Sequence, residues 1–90
     1  MAIRQLSYPI EELARRGDEI YARAIRPMVE RGNEGRIVAI DVDTGDFEMG
    51  EDELAASDPL LERHPDAQIW FVRVGFPTVH RIGAQMLRRR

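Results

Sequence analysis

The stretch Arg36-Ile37-Val38-Ala39-Ile40-Asp41-Val42 decides the fold. β-branched residues fill it without alternating with polar ones, and that pattern reads as a strand buried on both faces. A second run, Gln68-Ile69-Trp70-Phe71-Val72-Arg73-Val74, is the strongest strand in the chain. The two runs are expected to lie side by side as the floor of one unit.

Outward from the first run, Asp43-Thr44-Gly45 is a turn. Asp46-Phe47-Glu48-Met49 then alternates as the return strand of a hairpin, with Phe47 and Met49 inward. Gly50 breaks that strand. Glu51, Asp52 and Glu53 are acidic first-turn residues of a helix whose apolar stripe is Leu54, Leu61 and one of Ala55 and Ala56. Asp58-Pro59 offers a second cap, a point where this helix can divide into two short ones, and His64-Pro65 ends it.

Beyond the second run, Gly75-Phe76-Pro77 turns into a partner strand over residues 78–82. Upstream, Ser7 caps a helix that Gly17 stops, and Asp18 caps another over residues 19–31. Pro27 must kink that helix or restart it, and Gly32-Asn33 closes it.

The expected order is ααββαββ. That is an α+β fold, a four-stranded, mostly antiparallel or mixed sheet with helices on one face. Residues 1–90 form one small domain, with flexible ends at 1–6 and 84–90.

Composition narrows the function. The chain has no cysteine, which removes disulfides, thiolate metal sites and cysteine nucleophiles. A small secreted domain is usually stapled, so the cytoplasm is expected. Arg4 and Gln5 interrupt the N-terminal apolar residues early, and no run approaches a membrane span. All 13 basic residues are arginine against 16 acids, for a net charge of −3, which argues against broad nucleic-acid binding.

The acidic turn Asp41-Val42-Asp43-Thr44-Gly45-Asp46 invites chemistry. Asp43-Thr44-Gly45 matches the signature of an aspartic-protease half-site, but Asp41 and Asp46 crowd it where a shared-proton pair wants an apolar cradle. An Asp-x-Asp phosphatase nucleophile would need a larger fold. A calcium loop would need glycine and acid in swapped places and a helix before them. What remains is a hairpin turn flanked by acids, with Asp41, Asp43 and Asp46 as a weak alternative metal set.

His64-Pro65-Asp66 matches the tripeptide of J-domains, yet it leads straight into a strand and reads as a helix stop. His64 and His80 cannot define a metal site without partners. Arg88-Arg89-Arg90 is a short basic end, read as a solvated tail.

Five stretches carry a resemblance: Asp18-Glu19-Ile20-Tyr21; Gly35-Arg36-Ile37-Val38-Ala39-Ile40-Asp41; Thr44-Gly45-Asp46-Phe47-Glu48; Asp52-Glu53-Leu54-Ala55-Ala56-Ser57; and Arg63-His64-Pro65-Asp66-Ala67-Gln68-Ile69-Trp70. Over most of its length the chain resembles a group of short bacterial proteins of cyanobacterial type. Pro59 and the Phe76-Pro77 turn depart from the pattern. The resemblance implies a protein partner, in the style of toxin–antitoxin or regulator–partner gene pairs. It carries over no chemistry.

The expectation is therefore a non-catalytic interaction module with no cofactor, binding a protein partner or itself as a homodimer. Its surface is expected to involve Trp70, Phe71, Phe76, His80 and Arg81, at a sheet edge or face. The alternatives are an acidic-loop enzyme or metal binder, and a weak nucleic-acid binder through Arg81 and the arginine tail.

Overall fold

A computed structural model of the chain describes residues 8–76. Its elements run α1 (Ile10–Ile20), a π-helical turn (Tyr21–Ile25), α2 (Arg26–Val29), β1 (Ile37–Asp41), β2 (Phe47–Gly50), α3 (Glu53–Arg63) and β3 (Ile69–Arg73). The α+β class holds. The sheet, however, is three-stranded and antiparallel in the order β2-β1-β3, in place of the four strands expected. The expected strand over 78–82 and the Ser7 cap lie outside the described residues.

The helices do not share one face. In β1, Val38 and Ile40 point to the side covered by Tyr21, Ile25 and Val29, where Val72 and Val74 join them. Ile37 and Ala39 point the other way and pack on Ala56 and Leu60 of α3. The cause is the pleat: a strand apolar at consecutive positions has two apolar faces, and each must be covered. All five residues of β1 are buried, whereas β2 and β3 on either side are mostly half-buried.

Gly17-Asp18 does not end a helix. α1 runs through both, because the glycine serves packing. A Cβ at position 17 would stand 2.4 Å from Trp70 Cδ1, so only a bare backbone lets the helix settle on β3. Asp18 Oδ1 then accepts a bond from Trp70 Nε1 at 2.8 Å. Further along, Pro27 forces the adjustment expected of it. It cannot donate to a carbonyl one turn back, and the helix widens just before it, with the Arg26 N–H reaching Tyr21 O.

α3 is a single helix, undivided at Asp58-Pro59. Asp52 caps it, accepting from Ala55 N at 2.8 Å, and Pro59 sits inside it. Pro59 removes one backbone bond. Ala56 and Leu60, both 0% exposed, hold the two halves on the same sheet face. Burying a leucine contributes roughly 2 kcal/mol, enough to offset much of a proline's cost. Gly50 completes the contact, since a Cβ there would stand 2.7 Å from Ala56 N.

Gly17→Ala is expected to destabilise the protein. Helix propensity favours alanine by about 1 kcal/mol, but the clash falls on the inner atoms of Trp70, and overpacking costs about 1–3 kcal/mol. With the Cβ within 2.6 Å of three inner Trp70 atoms the cost falls in the upper part of that range, about 2–3 kcal/mol, and the net loss of roughly 1–2 kcal/mol lowers the melting temperature by about 5–15 °C. Thermal unfolding followed by circular dichroism measures it, and an unchanged midpoint would contradict the packing role.

Candidate functional site

The acidic turn is built around Asp41, the last residue of β1, which is 2% exposed. Its Oδ1 accepts from the backbone N–H of Asp43 at 3.1 Å and of Gln68 at 3.2 Å. Its Oδ2 accepts from Thr44 Oγ1 at 2.9 Å, and that hydroxyl accepts from Asp46 N at 3.1 Å. The backbone closes beneath, Gly45 N to Asp41 O at 2.7 Å and Asp41 N to Asp46 O at 2.9 Å, with Gly45 at φ 82°. One carboxylate thus closes the β1–β2 hairpin and fastens the chain where it enters β3.

The other two acids turn elsewhere. Asp43 accepts from the Tyr8 hydroxyl at 2.5 Å, which ties the start of α1 to the turn. That bond is the main cause raising the Tyr8 hydroxyl above its ordinary pKa. Asp46 faces the end of α3. Among the described residues no three His, Cys, Asp or Glu side chains stand together as a metal set.

Asp41→Ala leaves the buried Gln68 N–H without this acceptor, and is expected to cost roughly 2–4 kcal/mol. Asp41→Asn keeps an oxygen for both N–H groups and lets the Thr44 hydroxyl rotate to accept, so its cost is about 1 kcal/mol. Urea unfolding of the two variants separates them. Equal losses would mean that the charge, and not the acceptor geometry, matters.

The second cluster joins β2 to α3. Arg63 Nε and Nη2 both donate to Asp46 Oδ2, at 3.1 and 2.9 Å, and Nη1 is bonded to Glu48. His64 Nε2 lies 2.9 Å from the same Asp46 oxygen. Arg63 first, and His64 second, hold the Asp46 carboxyl below its usual range. Arg63 lies in the last turn of α3, where positive charge suits the helix dipole, and His64 follows as its C-cap. An Asp–His pair can serve a general base, but it needs a nucleophile in reach. The bonds of Arg63 and His64 to Asp46, and of Arg63 to Glu48, fasten β2 to α3.

Because the Asp46 pKa is depressed on folding, its contribution is present above the ordinary aspartate value of about 3.9 and lost as pH falls through the lower folded value. The side chain is 37% exposed, so screening limits the contribution to under about 1 kcal/mol. Asp46→Asn should therefore flatten the acid limb of a stability–pH curve below about pH 4 and cost little near neutrality. An acid limb identical to that of the parent protein would refute this.

The aromatic residues gather around β3. Trp70 lies on the α1 side and Phe71 on the α3 side, both half-buried. Phe76 is 56% exposed, with the Arg73 guanidinium 5.7 Å from its ring. It forms one wall of a cleft of about 460 Å³ against Tyr21, Ala22 and Arg26. Burial raises the Tyr21 hydroxyl above its ordinary pKa there. His80 and Arg81 lie outside the described residues. The helix-side partner of Trp70, Asp18, escaped the sequence reading because Gly17-Asp18 imitates a stop followed by a cap. The sequence marks Arg63 only by its place, an arginine in the last turn of a helix.

The two edges of the sheet differ. In the β1–β3 ladder Val42 N bonds Gln68 O and Val74 N bonds Arg36 O. By alternation, Ile69, Phe71 and Arg73 turn their backbone N–H and C=O away from β1. Among the described residues only the Arg73 carbonyl is then used, by Phe76 N at 3.2 Å. On β2 the outward residues are Phe47 and Met49. There the Phe47 N–H is taken by Asp46 Oδ1 at 2.9 Å, and its carbonyl faces Arg63 Nη2 at 3.5 Å. Among the described residues, the Asp46–Arg63 cluster caps the β2 edge at Phe47, and no such cap stands on the β3 edge at Ile69 and Phe71.

No helix among the described residues is long and apolar enough to cross a membrane. Comparison with known protein families, curated proteins and solved structures found no match for this chain.

Proposed function

We propose that the chain is a non-catalytic interaction module that binds a protein partner by strand addition at the outer edge of β3. The observation that supports this is the contrast, among the described residues, between β3, whose outward groups at Ile69 and Phe71 carry no cap, and β2, which is capped at Phe47. Unpaired edges template a further strand, and proteins that must avoid this blunt them with charge. β3 carries a single charge, Arg73. Backbone bonds of about 0.5–1.5 kcal/mol each give only weak binding over so short an edge. The half-buried Trp70 and Phe71, one on each face, supply the apolar surface that would add to it.

The test uses backbone chemistry. Proline at an outward position removes an edge N–H and leaves the β1 ladder intact. Arg73→Pro is expected to weaken capture of the cellular partner at least about tenfold, the equivalent of about 1.4 kcal/mol, with Arg73→Ala capturing it normally. Equal capture by Arg73→Pro, Arg73→Ala and the parent protein would remove the edge from the interaction.

A further inference from the structure

We draw no further inference here: the strongest candidate, the cleft of about 460 Å³ that Tyr21, Arg26 and Phe76 line beside the end of β3, is bounded by the described residues only, which end at Phe76 itself, and nothing in the structure shows what covers it.

Discussion

β1 has no free surface, and the rest of the molecule is arranged to make that so. Both of its edges are bonded and both of its faces are covered, by α1 and its continuation on one side and by α3 on the other. Val38, Ala39 and Ile40 are 0% exposed in succession, a state no two-layer arrangement could give a strand. Every element then has a task relative to β1. The chain must wrap from one face to the other, and α3 does this by carrying the path from β2 across to β3. The two outer strands are consequently parallel to each other, with β1 between them.

Two close approaches make the wrapping possible in so short a chain. Gly17 lets the first helix settle on Trp70, and Gly50 lets β2 pass directly beneath the first turn of α3. Asp41 supplies the remaining joint. It is buried and charged, a combination that costs stability unless its oxygens are filled. They are filled by two backbone N–H groups and a hydroxyl. A single carboxylate thereby replaces the hydrophobic contacts that a larger loop would need to hold the hairpin and the start of β3 together.

The parts of this legible in the sequence are those set by local pattern. The runs over residues 36–42 and 68–74 are strands and neighbours, and the hairpin turn at Asp43-Thr44-Gly45 is where turn chemistry places it. What escaped is set by tertiary packing. Gly17 and Asp18 carry the local marks of a helix end, yet their roles are defined by Trp70, far along the chain. Pro59 carries the local mark of a helix start, yet Ala56 and Leu60 hold it inside one helix. The covering of both sheet faces was legible in the sequence. Apolar residues at consecutive positions of residues 36–42 already required cover on both sides. As for the site, Trp70 and Phe71 stood out by type, but which edge of the sheet is capped depends on Arg63 meeting Asp46 across the fold.

That capping carries the functional argument. An acidic turn followed by a return strand looks at first like a place for metal or proton chemistry. In the folded protein its acids are spent on structure: Asp41 on the hairpin, Asp43 on Tyr8, and Asp46 on Arg63, His64 and the Phe47 N–H. The last of these blunts one sheet edge with charge, which is the ordinary defence against unwanted pairing. β3 has no such defence among the described residues, and its outward groups lie beside two half-buried aromatic rings. Among the described residues, the strand that carries these two rings is thus also the one whose outward backbone groups at Ile69 and Phe71 have no cap.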